Sequence, residues 1–196
     1  DFYEQIWPGG FWEDRLWLVP QTAEMNLLFY DTRAYEAAKE PEPSLRWTWA
    51  EMEADIAAVL PNVPPNSQLE WGMLDRDRDL LYSFAYNWNN DCMEQTAVRC
   101  KRTLEPAAVA ATLAWYQQRV GQPQGILDLS GLDAAGRQTV FLSSQSARRH
   151  SLIWVEQPLQ YEYHLLLAPI GVAPFPGSDR FDGITPFHVS GGVIFA

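Results

Sequence analysis

Apolar and polar positions alternate on two periods along this chain, and the changes between them mark its elements. Leu16-Trp17-Leu18-Val19 and Leu27-Leu28-Phe29-Tyr30 are short apolar runs of strand character. Pro20 and the polar residues at 21–24 separate them and predict a turn. The second run leads into a helix: Asp31 or Thr32 supplies the capping oxygen, Tyr35 and Ala38 form a modest apolar side, and Pro41 with Pro43 stops it. After a proline-containing linker at 40–46, Thr48-Trp49-Ala50-Glu51 reads as a capping box. There the threonine oxygen accepts from the amide three residues on while Glu51 reaches back. Met52, Ile56, Val59 and Leu60 follow at helical spacing as one stripe. Residues 61–67, with Pro64-Pro65, read as loop, and 69–74 as a strand.

Asp75, Asp77 and Asp79 alternate as the acids of calcium loops do, but the sixth place lacks glycine and the twelfth is Tyr86 instead of an acid. The stretch is better read as a solvated, acidic helix start, followed by Leu80, Leu81 and Phe84. Asn87-Trp88-Asn89-Asn90-Asp91 admits two readings. An indole face with amides and carboxylates around it is the chemistry of a sugar site; asparagines in left-handed conformation over a buried tryptophan would equally make a helix end. Thr103 caps the next helix, on which Val109, Leu113, Tyr116 and Val120 recur as an apolar stripe before Gly121 and Pro123 end it. Residues 125–136 read as loop with a short apolar piece, 151–155 and 161–168 as strands, and 172–177 as an extended or turning segment. The glycines of Ser190-Gly191-Gly192 suit either a close backbone approach to a ligand or a plain turn before a buried final strand. Residues 6–12 are a turn-rich aromatic lead-in, suited to packing at the edge of the core or against a neighbouring lobe.

Strands alternating with helices long enough to cover a sheet point to an α/β lobe. The chain has 196 residues, 47% of them hydrophobic, enough for one sizeable core and too apolar for a disordered segment. The 25 acidic residues outnumber the 14 basic ones for a net charge of -11, a field that repels phosphate backbones and anionic lipid and argues against nucleic acid or a membrane surface as partner. No run approaches the roughly 20 apolar residues of a membrane-spanning helix.

Nothing specific marks an enzyme. The chain lacks a G-x-S-x-G elbow, a phosphate loop, G-x-G-x-x-G and H-E-x-x-H, and His150, His164 and His188 are scattered. Acids such as Glu24 and Asp91 are the residue types of a glycosidase pair, but no motif joins them. Cys92 and Cys100 have no third or fourth ligand at zinc spacing, so no metal or other cofactor is expected.

Leu18-Val19-Pro20, then Leu27-Leu28-Phe29-Tyr30-Asp31-Thr32-Arg33-Ala34-Tyr35, then Trp47-Thr48-Trp49-Ala50-Glu51-Met52 resembles, in order, spacing and residue type, the middle of the extracellular solute-binding proteins of sugar-type ABC importers. Three later stretches are similar to that family too: Glu105-Pro106-Ala107-Ala108-Val109-Ala110-Ala111 with Trp115-Tyr116, Val172-Ala173-Pro174-Phe175-Pro176-Gly177, and Ser190-Gly191-Gly192-Val193. From Arg137 the likeness weakens, and Phe141-Leu142-Ser143-Ser144-Gln145-Ser146-Ala147-Arg148 replaces the glycine, lysine and methionine usual there.

The resemblance implies that residues 1–196 are a single α/β lobe, the second of a two-lobed, periplasmic-binding-protein-like (type II) fold, with another lobe before Asp1 and helices after Ala196. It implies an extracellular or periplasmic protein, anchored as a lipoprotein, that binds a sugar or oligosaccharide in the cleft between lobes, does no chemistry, and docks on the transporter's membrane subunits. Gln21, Thr22 and Glu24 are then the hydrogen-bonding residues just past the hinge, and Trp88 and Asn90 the platform and its polar neighbour. In an exported protein Cys92 and Cys100 suit a disulfide, with two unpaired thiols as the alternative. A different class, a stand-alone carbohydrate-binding or protein-interaction module of an exported protein, would also suit the nine tryptophans.

Overall fold

The structure is a computed structural model and describes residues 11–75, 80, 81, 83, 106–128, 150–156, 169–178, 183, 185 and 187–193. A small hairpin, β1 (Phe11–Trp12) and β2 (Arg15–Leu16), precedes a long strand β3 (Leu18–Met25). Then come β4 (Leu27–Asp31), α1 (Thr32–Ala38), α2 (Trp49–Val59) and β5 (Trp71–Asp75). The remaining elements are α3 (Pro106–Arg119), β6 (Ile126–Asp128), β7 (Ser151–Glu156), β8 (Ile170–Ala173) and β9 (Phe187–Val193).

Five strands form the main sheet in the order β6-β5-β7-β4-β8, with β4 antiparallel to both its neighbours and the other four running one way. Alternation within the strands gives the sheet two apolar faces. Leu28, Tyr30, Met73, Ile153 and Val155 join one cluster with α1, α2 and α3, while Phe29, Leu74 and Trp154 form a second. Phe29 and Trp154, directly opposite in register, stack with centroids 6.1 Å apart.

The helix starts are written locally. Asp31 caps α1 by accepting from the Arg33 amide, and α1 ends at Lys39 in left-handed conformation, before the prolines that would forbid its continuation. The capping box of α2 forms as expected, with Thr48 Oγ1 accepting from the Glu51 amide and Glu51 accepting from the Thr48 amide. Met52, Ile56, Val59 and Leu60 are all buried. The segment at 172–177 is extended, as its prolines require. It clamps the start of α2, where Gly177 exchanges backbone hydrogen bonds with Trp47 and Trp49, and the Trp47 indole donates to the Pro174 carbonyl at 2.8 Å.

Five expectations are corrected. Residues 21–24 are not a turn; β3 runs unbroken through them, and only Asn26 interrupts the path from β3 to β4. Polar residues persist in that strand because it pairs away from the core, with β9. Asp75 is not a solvated helix start but the fully buried last residue of β5, held by the Tyr116 hydroxyl at 3.0 Å. On α3 the inward stripe is rotated: Tyr116 is buried as expected and bonds Asp75, but Thr112 takes the buried position beside it and Leu113 is 43% exposed. The apolar piece at 126–128 is a strand, paired in parallel with β5. Finally, Ser190-Gly191-Gly192 lies within β9 itself, and Val193 is 55% exposed instead of buried. The helical positions Leu80, Leu81 and Ser83 agree with the reading of that stretch, whereas the expected strand at 161–168 lies outside the described residues.

Candidate ligand-binding site

The strands β3 and β9 form a ribbon of their own, separate from the five-stranded sheet. Its register pairs Leu18 with Val193, Val19 with Gly192 and Pro20 with Gly191, then shifts so that Thr22 faces Ser190 and Glu24 faces His188. Gln21 is the extra residue of a β-bulge and has no cross-strand partner in this register. The shift changes which side chains share a face. Counted through the bulge, Val19, Thr22, Ser190 and Glu24 share one face of the ribbon, and Leu18, Pro20, Ala23 and Met25 the other. Under uninterrupted alternation through Gln21, Thr22 would lie with Pro20.

The bulge is fitted by glycines. A Cβ on Gly191 would lie 1.9 Å from the Val19 carbonyl oxygen, so only glycine permits the strands to approach there. At Gly192 the nearest group to such a Cβ is the Gln21 carboxamide, at 3.7 Å. On the bulged face Thr22 Oγ1 and Ser190 Oγ are hydrogen-bonded at 2.5 Å, both exposed, and Glu24 beside them is half-buried.

The ribbon enters the main sheet through Asn26 at one particular edge. Leu27, the first residue of β4, pairs with Glu156, the last of β7. Asp75 pairs with Asp128, the last residues of β5 and β6. The carboxyl ends of three parallel strands therefore finish in acids at the edge where the ribbon begins, the place where open α/β sheets characteristically bind ligands. Asp75 and Asn26 are both buried there, and Asp75 is fixed by Tyr116.

Of the residues expected from sequence, the structure brings Gln21, Thr22 and Glu24 together on or beside the bulge. Trp88, Asn90, Cys92 and Cys100 lie outside the described residues. Among the described residues no group of three or more His, Cys, Asp or Glu is arranged to hold a metal ion. Sequence reasoning missed Ser190, Asn26 and Asp75. For Asp75 a signal was present: Trp-Gly-Met-Leu-Asp, Gly-Ile-Leu-Asp and Leu-Ile-Trp-Val-Glu are three apolar runs that each end in an acid.

No protein-family model matches the chain, and no curated protein matches it in sequence. Solved structures match nearly all of it. An acarbose-binding receptor, GacH of Streptomyces glaucescens, superposes with a TM-score of 0.61 at 16% identity, over 94% of this chain and 45% of the receptor. An ABC substrate-binding protein of Listeria monocytogenes, solved with cycloalternan, gives 0.64 at 13%, over 96% of this chain and 46% of that one. UgpB of Mycobacterium tuberculosis, solved with glycerophosphocholine, gives 0.61 at 16%, over 96% and 48%. The chain has the fold of one lobe of a periplasmic-binding-protein-like solute-binding protein. It spans about half the length of these proteins. Their ligands range from oligosaccharides to a phosphodiester, so the fold alone does not choose the solute.

Proposed function

We propose that this chain is the second lobe of the substrate-binding component of an ABC importer and binds a sugar or oligosaccharide in the cleft between two lobes. The observation that carries this reading is the superposition of nearly the whole chain on about half of each of several ABC solute-binding proteins. The ribbon supports it: a pair of strands standing apart from the main sheet, joined to it by one residue, suits a crossing between lobes that move on a hinge. Gln21, Thr22 and Glu24 contact the solute beside that crossing, and Trp88 with Asn90 forms its platform. The protein works outside the cytoplasmic membrane, tethered as a lipoprotein, with Cys92 bonded to Cys100. It performs no reaction; closure on the solute presents it to the membrane subunits of the importer.

Thermal unfolding of the full-length protein against mono- and oligosaccharides tests this, since a ligand at a hundredfold its Kd stabilises the native state by about 2.7 kcal/mol. A clear upward shift with one sugar, reduced by Trp88→Ala or Glu24→Gln, supports the reading. A shift with peptides or polyamines alone keeps the fold and overturns the solute class.

A further inference from the structure

We infer that Asp55 and Tyr35 form a proton-operated clasp, which fastens α1 and the linker at 40–46 onto α2 in acid and lets them loosen at neutral pH. The Tyr35 side chain on α1 is fully buried, and its hydroxyl has no hydrogen-bond partner. A polar group buried in that way costs stability until something pairs with it. Tyr30 is already committed: its ring meets that of Tyr35 edge-on, with centroids 5.3 Å apart, and its hydroxyl donates to Glu42 of the linker at 2.8 Å. The charge that bears most on the Tyr35 hydroxyl is Asp55 of α2.

Asp55 is half-buried among like charges. Glu51 lies one turn back on the same face of α2, and Glu40 is held near by its amide, which donates to the Tyr35 carbonyl at 3.1 Å. Among the described residues no cation pairs with Asp55: Arg33 is taken by Asp31 and Arg119 by Glu53, while Glu36 and Lys39, on α1 and its cap, are exposed. Residues 60–62 and β8, which also pack on α1, carry no charge. Burial and these neighbours oppose ionisation, so the ionised carboxyl gains more by turning to water than from one bond to a phenol; the same causes raise it to about 6. Once it has taken a proton from solvent the carboxyl offers both a donor and an acceptor, as the hydroxyl does, and a side-chain rotation brings the two together. The bond joins α1 to α2 directly and, through the Tyr30–Tyr35 contact and the Glu42 bond, steadies the linker.

The test is made on the full chain by amide hydrogen exchange over residues 32–46 at pH 5 and pH 7.5, corrected for the intrinsic pH dependence of exchange and referred to the amides of β5 and β7. A carbon NMR titration of the Asp55 carboxyl accompanies it. In the wild type these amides should exchange about tenfold more slowly at pH 5, the protection that one hydrogen bond supplies. Tyr35→Phe should abolish that difference and lower the midpoint of Asp55. Because it removes an unpaired hydroxyl, it should leave the stability at pH 7.5 unchanged or higher and reduce it at pH 5. Asp55→Asn, neutral and able both to donate and to accept, should show the slow exchange at both pH values, and Asp55→Ala at neither. Equal exchange at both pH values in the wild type overturns the inference. So does a pH dependence, or an Asp55 midpoint, that Tyr35→Phe leaves unmoved.

Discussion

Replacing Gly191 with alanine isolates the geometry on which the ribbon depends. The added Cβ would stand 1.9 Å from the Val19 carbonyl oxygen and 3.0 Å from the Pro20 Cα, and backbone groups cannot swing aside as a flexible side chain can. Parting the strands by about 1 Å takes neighbouring N···O distances from about 2.9 Å to beyond 3.5 Å, where no useful hydrogen bond remains. Loss of two such bonds at about 1 kcal/mol each, with an overpacking cost of at least about 1 kcal/mol, gives about 3 kcal/mol against the paired ribbon. Gly192→Ala is the internal control. Its Cβ would make an ordinary contact with the Gln21 side chain at 3.7 Å, so it should cost less than about 0.5 kcal/mol. Amide hydrogen exchange over residues 18–25 and 187–193 reads the difference directly. Gly191→Ala should speed exchange there about a hundredfold while amides of β4, β5 and β7 keep their protection. Equal protection in the two variants would refute the argument that close approach, not strand propensity, requires glycine at 191.

Two other perturbations test the lobe itself. Burial, with the nearby charges of Glu40 and Glu51, raises the Asp55 carboxyl from 3.8 to about 6. The folded state thus holds that proton more tightly than the unfolded chain. The resulting stability is fully present below pH 3.8 and is lost as pH rises through about 6. Asp55→Asn should flatten that part of the pH–stability curve and stabilise the protein at pH 7 by about 1 kcal/mol, after solvent screening of a half-buried group. An unchanged profile in urea titrations between pH 4 and 7 would contradict this. Tyr116→Phe removes the hydroxyl that donates to fully buried Asp75, and should lower the unfolding free energy by about 1–2 kcal/mol in the same titrations. No loss would mean that this bond does not stabilise Asp75.

What could be read from the sequence was what neighbouring residues decide among themselves. The Thr48–Glu51 box, the Asp31 cap and the Met52-Ile56-Val59 stripe depend on residues within one or two turns, and all are found. The failures share a different cause. Gln21 to Glu24 looked like a turn because their polarity was judged without the partner strand 168 residues away. Asp75 looked solvated because its aspartate-rich neighbours suggested water, whereas its position is set by the end of a buried strand and by Tyr116 across the core. Periodicity places Leu113 inward, whereas the buried face of α3 passes through Thr112 and Tyr116, a phase that the strand-end Asp75 across the core shares and that no neighbour of Leu113 announces. Gln21, Thr22 and Glu24 stand out in the sequence only through the family resemblance, since their polarity alone reads as a turn, and the common face of Thr22 and Glu24 with Ser190 depends on a bulge that no local pattern announces.

The ribbon also dictates a folding order. Closing a loop of 168 residues costs about 4.5 kcal/mol in chain entropy, so Thr22 meets Ser190 only after the contacts of the main sheet have shortened the path between them. At roughly 5–20 residues per second, β3 leaves the ribosome about 8–30 s before its partner is made. Throughout that interval it is an unpaired strand with both edges open, the kind of segment that invites pairing with other chains. The pairing that builds the ribbon is thus the last long-range contact the chain can make, and β3 is its most exposed edge until then.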